Sequence, residues 1–514
     1  MFKRRGRDIF SIVLSSALWA CAFPNVGLWP FVFVAIVPLL FIMEGASPKR
    51  AFWITFATTL LAYAGLVYWL IYTINHYGYI FLPVAILVFI IMLVMLAAIR
   101  GLFFAVPYAW VGKRAPCYIV VPLLWVGADY FQTLFFGGFP WEFFGYAPYK
   151  ILPLIQAADI LGVWLLTFIF VFINAAIYEL FRADVGRLRK IIGAALSFLL
   201  VAALFIYGQL RLNQIRETMA KSEKIRVAVV QGNIPQDVKW SRNFRSWVLS
   251  RHENLSEAAV AEGAEFIIWP ETALPVFQDV AEPLYKPLAN AVTEINRYLL
   301  TGLPTLRYEG AEEIHHNSAY IINPQGEPVD FYHKNHLVPF GEFIPFKRTL
   351  KRMAGSLVHG TGDFLSGGDI KDLKHPTIGN IALIICYEAI YPDLTRRLTN
   401  QGARLLVNIT NDAWFGDTSA PHQHLSMAAM RAIESRLYLA RAANTGISAF
   451  VEPTGKIIKQ TGLFEIAYEV EDLGLMDVDT IYERVGDVLP ILCLAFSTGA
   501  LLIILLRKFR AKRL

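Results

Sequence analysis

Ile381-Ala382-Leu383-Ile384-Ile385-Cys386-Tyr387-Glu388 is an isoleucine-rich apolar run that ends on a thiol and then a carboxylate. A short continuous apolar run of this kind reads as a buried strand, which places Cys386 at its carboxyl end. Phe266-Ile267-Ile268-Trp269-Pro270-Glu271-Thr272-Ala273 repeats the pattern, with Glu271 where the apolar run stops. Between them lies Tyr332-His333-Lys334, followed by Leu337-Val338-Pro339-Phe340-Gly341-Glu342. Further strands are expected at Ile225–Gln231, Glu265–Trp269, Tyr298–Leu303, Ser318–Ile322, Ile381–Cys386, Leu405–Ile409 and Ile447–Val451. Helical stretches at 245–262, 284–297 and 423–443 intervene, so residues 209–485 read as an α/β domain with helices covering sheets. Reactive side chains at strand ends are where sites form in such sheets.

Outside that domain the chain changes character. Of its 514 residues 56% are hydrophobic, too many for one soluble globule, and they concentrate in 9–208 and 486–506. Apolar runs of about 20 residues mark spanning helices. Eight are expected, at 9–22, 28–43, 52–74, 80–111, 118–135, 159–181, 191–208 and 486–506. The first has the outline of a signal peptide, with Lys3, Arg4, Arg5 and Arg7 before an apolar stretch and Ala20-Cys21. Apolar segments follow it directly, so it reads as an uncleaved helix. Lys49, Arg50, Lys113, Arg114, Arg182, Arg187, Arg189 and Lys190 fall in alternate loops, and Arg507, Lys508, Arg510, Lys512 and Arg513 in the tail, whereas the opposite short loops hold only Lys150. By the positive-inside rule both termini are cytoplasmic and 209–485 faces outward, leaving 1–208 as a seven-helix membrane domain and 486–514 as an eighth helix with a basic tail. The same asymmetry accounts for the net charge of +6 and argues against nucleic acid as a partner.

Each chemical residue has an ordinary reading by itself. Glu271 can cap a segment, Lys334 can be a solvated lysine, and Cys386 can be a small buried hydrophobe. Cys21, Cys117 and Cys493 lie in or beside apolar helices, so Cys386 is an unpaired thiol on the outward side. His422 and His424 have a metal-site spacing but no third ligand, so structural roles are expected and no metal. Gly360 to Gly368 lacks the Gly-Lys-Ser/Thr of a phosphate loop. Arg431, Glu434 and Arg441 read as packing and ion-pair residues of the helix expected at 423–443.

In order and local context, Glu271, Lys334 and Cys386 resemble the Glu-Lys-Cys triad of the nitrilase superfamily. That resemblance implies an αββα sandwich. The membrane half narrows it: the chain resembles the apolipoprotein N-acyltransferase family, the membrane branch of that superfamily. The resemblance rests on Val230-Gln231-Gly232-Asn233-Ile234-Pro235-Gln236 with Trp240, the Glu271 motif, Lys334 through Glu342, Cys386-Tyr387-Glu388, and Asn411-Asp412-Ala413-Trp414-Phe415-Gly416-Asp417. It implies a bacterial inner-membrane enzyme with a periplasmic catalytic domain. It implies a phospholipid as acyl donor and the α-amino group of an S-diacylglyceryl-cysteine lipoprotein as acceptor, with no cofactor.

The residues suit that chemistry. A free thiol is only a few per cent ionised at neutral pH, so Glu271 is expected to take the Cys386 proton. The Lys334 ammonium and the Tyr387 backbone N–H are expected to hold the oxyanion. Glu342 and Glu388 either keep Lys334 charged or orient the incoming nucleophile, and Trp240 and Trp414 are expected at the substrate. Drawing a chain of ~16 carbons into water costs on the order of 12 kcal/mol, which explains an attached membrane half. Two rival readings are a membrane-tethered nitrilase or amidase hydrolysing a small amide or nitrile, and a membrane scaffold or transporter with a dead enzyme domain. Finally, Phe346, Leu350, Met353, Ala354 and Leu357 recur at helical spacing behind Pro345, with Lys347, Arg348, Lys351 and Arg352 between them. This predicts a basic amphipathic lid that touches the membrane, with Gly355, Gly360 and Gly362 as hinges; the alternative is an ordinary surface helix.

Overall fold

The structure, a computed structural model, describes residues 2–78, 80–112, 115–279, 282–310, 312–339, 341–343 and 364–511. The chain divides into two compact units, Met1–Ile71 with Phe81–Leu212 and Val485–Leu514, and Tyr72–Ile80 with Asn213–Arg484.

Five helices among the described residues are long and apolar enough to cross a membrane, Leu82–Val111, Cys117–Gly137, Ala158–Leu180, Arg187–Lys221 and Val488–Arg510, the fourth running on from the first unit into the second. A sixth forms if Pro48–Leu66 and Leu70–Tyr77, bent by 69°, are one span. Two of the eight expected segments differ in form. The first helix, Phe2–Cys21, begins with a charged turn, so its apolar part is short. Residues 28–43 make two pieces, Trp29–Phe33 and Val37–Met43, because Pro30 and Pro38 each sit in a first turn where the chain restarts. Backbone groups freed by such a break need partners in an apolar setting. Asn174 supplies them, accepting from the Ile36 N–H at 3.0 Å and donating to the Val32 carbonyl at 2.7 Å, and the Ser15 hydroxyl accepts from Leu39 N–H at 2.9 Å. Arg100 and Asp129, both buried, pair at 2.5 Å, with the guanidinium 4.2 Å from the Trp125 ring centre. Charges this deep are retained where they are paired.

The second unit contains two six-stranded sheets. Strands β1 (Lys224–Gln231), β2 (Phe266–Ile268), β4 (Tyr298–Gly302), β7 (Ser318–Ile322), β8 (Pro328–His333) and β15 (Ala467–Gly474) form the first, in the order β15-β1-β2-β4-β7-β8. Strands β9 (Leu373–His375), β10 (Gly379–Ile385), β11 (Ala403–Thr410), β12 (Leu439–Ala443), β13 (Ala449–Val451) and β14 (Ile457–Gln460) form the second, in the order β14-β13-β12-β11-β10-β9. A small sheet of β3 (Gln278–Asp279), β5 (Thr305–Glu309) and β6 (Glu312–His316) lies apart. Both large sheets have three parallel strands at the centre, β1-β2-β4 and β10-β11-β12, with antiparallel strands outside. Helices Arg245–Ala261 and Lys286–Ile295 cover the first sheet, and Pro392–Thr399 and Ala420–Ser435 the second, giving an αββα sandwich. Its core includes Val230, Ile267, Trp269 and Leu299, all fully buried, each apolar side chain of this size contributing about 2–3 kcal/mol. Gln231, at the end of β1, ties the sheets together: its Oε1 accepts from the hydroxyls of Ser448 at 2.7 Å and Thr461 at 2.8 Å.

The helix expected at 423–443 is a correction. It ends at Ser435, Arg436 adopts a left-handed φ of 54°, and 439–443 form β12. Arg441 is therefore on a strand, not a helix. Leu439-Ala440-Arg441-Ala442-Ala443 is buried throughout and pairs with β11 and β13, and that sheet pairing overrides the helical propensity of its alanines. Residues 72–74, expected at the end of a spanning helix, belong instead to the second unit.

Candidate active site

The carboxyl ends of four strands carry the chemical side chains. Cys386 follows β10 directly, Lys334 follows β8, Glu271 follows β2 by three residues, and Asn411 follows β11. Three non-glycine residues at such ends hold left-handed backbones: Asn233 (φ 48°), Thr272 (φ 48°) and Cys386 (φ 51°). Strain of this sort costs on the order of 1–3 kcal/mol each and collects at functional sites. At Thr272 and Cys386 it turns the chain sharply next to Glu271 and at the thiol itself, whereas Asn233 donates to the Phe464 carbonyl at 2.6 Å.

Glu271 and Lys334, both buried, and the half-buried Glu342 form one ionic cluster. The Lys334 ammonium lies 3.3 Å from Glu271 Oε1 and 2.9 Å from Glu342 Oε1, with Lys334 only 1% exposed. Asn317 Nδ2 donates to both carboxylates, at 2.7 Å to Glu271 and 2.6 Å to Glu342. The second oxygen of Glu271 accepts the Asn411 backbone N–H at 2.9 Å, and that of Glu342 accepts the Val338 N–H at 2.8 Å. The Lys334 backbone is fixed as well, donating to the Asn317 carbonyl at 2.8 Å and accepting from Gly367 N–H at 3.0 Å. Burial disfavours the Lys334 ammonium, but the Glu271 and Glu342 carboxylates outweigh it and hold its pKa above the ordinary value. The charged form of Lys334 is thus the favoured one.

The Cys386 thiol feels both partners. Burial pushes its pKa up first, the Glu271 charge adds to that, and the Lys334 charge opposes it. The resting side chain is therefore the neutral thiol, which needs a base at the moment of attack.

Glu388 grips the loop rather than the thiol. Its Oε1 accepts from the backbone N–H groups of Asn335 at 2.6 Å and His336 at 3.0 Å and from the Tyr332 hydroxyl at 3.1 Å, while Oε2 accepts from Ile385 N–H at 2.7 Å. It thereby fastens the turn of Cys386 to the loop that carries Lys334. Burial lifts its pKa to about 7, with the N–H donors opposing. Tyr387 is buried, its ring 5.4 Å from that of Tyr391. Trp240 is 42% exposed and packs on Phe277 at 5.7 Å; its neighbour Lys239 is the buried one, donating to the Glu271 carbonyl at 3.3 Å. Burial brings the Lys239 pKa down to about 8, against the pull of Glu271. Trp414 packs on Tyr77 at 5.3 Å. Phe346 and Leu350, with the rest of the expected lid, lie outside the described residues.

Sequence reasoning did not find the scaffold behind Cys386. Its carbonyl accepts from His424 Nε2 at 3.1 Å, which fixes the proton on that nitrogen. The other ring nitrogen lies 3.0 Å from Asp412 Oδ1 and 3.1 Å from Arg441 Nη2, and Arg441 pairs with Asp412 Oδ2 at 2.7 Å. Burial and Arg441 lower the His424 pKa, against the pull of Asp412. Burial works against the Asp412 charge, but Arg441 and His424 outweigh it and hold its carboxyl well below the usual range. Arg441, Asp412 and His424 are all buried and sequence-distant, so no local pattern joins them. Asn317 and Lys239 were equally silent: an asparagine before a strand and a lysine beside a tryptophan have many ordinary uses.

Two parallel-centred sheets, with an acid, a lysine and a thiol at their strand ends, define a carbon-nitrogen hydrolase domain. The sequence profile of the carbon-nitrogen hydrolase family matches residues 226–480, and that of the apolipoprotein N-acyltransferase N-terminal domain matches residues 15–176. An apolipoprotein N-acyltransferase from Geobacter metallireducens is 37% identical over 500 residues, covering 95% of this chain and 94% of its own length. Another, from Pseudomonas syringae pv. tomato, is 32% identical over 445 residues, 85% of each chain. Among solved structures, Saccharomyces cerevisiae Nit3, a member of branch 10 of the nitrilase superfamily, aligns with a TM-score of 0.39 at 18% identity, over 52% of this chain and 96% of that one. The chain belongs to the apolipoprotein N-acyltransferase family, and it is a membrane-associated acyltransferase.

Proposed function

We propose that this enzyme moves an acyl chain from a membrane phospholipid, through a thioester on Cys386, to the α-amino group of the S-diacylglyceryl cysteine of lipoproteins. The observation that carries the reading is the Glu271–Lys334–Glu342 ionic cluster beside a neutral thiol on a left-handed turn. In the first half-reaction Glu271 takes the Cys386 proton as sulfur attacks the ester carbonyl. The oxyanion forms beside the Lys334 ammonium and the Tyr387 N–H; one such donor is worth about 3–4 kcal/mol. The C–O bond breaks, Glu271 returns the proton to the departing lysophospholipid oxygen, and the thioester remains. In the second, the amine attacks the thioester carbonyl, Glu271 takes an amine proton, the C–S bond breaks, and the proton passes to sulfur. The products are an amide and the resting thiol. Glu342 and Glu388 position Lys334 and Cys386. Trp240, Trp414 and the apolar residues Phe346 and Leu350 are assigned to the substrate, the last two on the amphipathic pattern that follows Glu342.

The reading includes a topology. Eight crossings, with domains at 1–208, 209–485 and 486–514, put both termini in the cytoplasm and the catalytic domain in the periplasm of a bacterial inner membrane. The loop charges support this.

Intact mass spectrometry tests the chemistry. Purified enzyme incubated with a phospholipid of one acyl composition and no acceptor gains the mass of one acyl group on Cys386, and hydroxylamine removes it. A wild-type protein that never acquires the group, or a Cys386→Ala variant that acquires it normally, overturns the proposal.

A further inference from the structure

Tyr72–Ile80 belongs to the second compact unit although the chain on both sides of it belongs to the first. Its helical part, Thr73–Tyr77, is wound as a π-helix, a form that tends to occur at functional positions. The Thr73 hydroxyl donates to the Trp414 carbonyl at 2.9 Å. The Tyr77 ring meets the Trp414 ring edge-on at 5.3 Å. Tyr72 lies against Gly416, which holds a left-handed φ of 61°, so closely that a Cβ there would come within 2.6 Å of the ring. All three contacts fall on one short turn, the 3-10 helix Asp412–Phe415 and the glycine that ends it.

That turn serves both reacting groups. The N–H of Asn411, at its entrance, holds Glu271 Oε2. Asp412, its first residue, holds the His424 ring, whose other nitrogen holds the Cys386 carbonyl. A four-residue 3-10 turn has little stability of its own, so what packs on its outer side sets where it sits. A displacement of about 1 Å between reacting groups can cost on the order of 10²-fold in rate.

We infer that Thr73 and Tyr77 are positioning residues of the acyl-transfer site, acting through the Asn411–Gly416 turn to set Glu271 against Cys386. The inference rests on the proposed acyl transfer for its substrate, but its geometry stands without it.

Two measurements on full-length enzyme in detergent micelles test it. One is the single-turnover rate of Cys386 acylation as a function of phospholipid concentration. The other is the alkylation rate of Cys386 by iodoacetamide, which needs no lipid. Thr73→Val lowers the maximal acylation rate about fivefold, the worth of one neutral hydrogen bond, at an unchanged half-saturating phospholipid concentration, and it slows alkylation in the same sense. Thr73→Ser, which keeps the hydroxyl, stays near the wild-type rate. Tyr77→Leu falls as Thr73→Val does, and Tyr77→Phe, which keeps the ring, recovers most of the loss. The inference is overturned if Thr73→Val matches wild type in both assays, if Thr73→Ser is as slow as Thr73→Val, or if only the half-saturating concentration moves. Should wild type refuse phospholipid while Thr73→Val still slows alkylation, the donor assignment fails and the positioning role stands.

Discussion

At Cys386 the two neighbours that matter pull the thiol in opposite directions: the Glu271 charge raises its pKa and the Lys334 charge lowers it. Substitution separates the two effects. Glu271→Gln removes a negative charge, so the thiolate forms at lower pH; Lys334→Met removes a positive charge, so it forms at higher pH. Yet Glu271→Gln also removes the base, and general-base catalysis contributes about 10²–10⁴-fold. The expected outcome is a variant whose thiol ionises more easily and whose acylation is slower by at least about 10²-fold. Alkylation of Cys386 across a pH series reads the first, and single-turnover acylation the second. If acylation rose as the thiolate became easier to form, Glu271 would be only an electrostatic brake and the base would have to be found elsewhere.

The elements that carry these residues differ in how plainly they could be read in advance. Strand β10 was legible because Ile381 to Ile385 is an unbroken apolar run, and β2 for the same reason. Strand β12 was not, because Leu439-Ala440-Arg441-Ala442-Ala443 favours a helix until the flanking strands claim it, and with it went the setting of Arg441. Asn317 had no local mark at all; it matters only because β7 brings it between two carboxylates. Close approach is another silent property. The end of β4 passes so near the Glu271 loop that a Cβ on Gly302 would lie 2.4 Å from the Thr272 nitrogen and 2.7 Å from Glu271 Cα. Gly302→Ala is therefore expected to move the Glu271 loop, costing about 1–3 kcal/mol of stability and most of the acylation rate. Gly499→Ala, where nothing lies within 4 Å, is the control and is expected to leave acylation unchanged. Thermal unfolding and the acylation assay together check the pair; a normal rate in Gly302→Ala would mean that the loop relaxes without disturbing Glu271.

At the scale of the whole molecule, the division into an apolar half and a catalytic half was visible from hydrophobicity alone, and the loop charges predict which side of the bilayer each segment faces. Reporter fusions at residues 115 and 300 are expected to report opposite sides of the membrane, 115 cytoplasmic and 300 periplasmic. Signals from the same side would break the proposed count of eight crossings, and the place to look first would be residues 28–43, where Pro30 and Pro38 split the helix. The segment Tyr72–Ile80 was invisible to this kind of reading, since an apolar run leads into it and nothing in its own nine residues declares which unit it joins.

That segment makes the catalytic unit discontinuous along the chain, and modularity suffers for it. A soluble fragment cut at the obvious seam, 213–484, leaves out Thr73 and Tyr77 and exposes the back of the turn they hold. A chimera that takes its catalytic domain from one relative and its membrane half from another would join an arm to a turn it was never matched with. Across relatives, then, positions 72, 73 and 77 should be inherited together with 414 and 416, even though more than 300 residues of sequence lie between them.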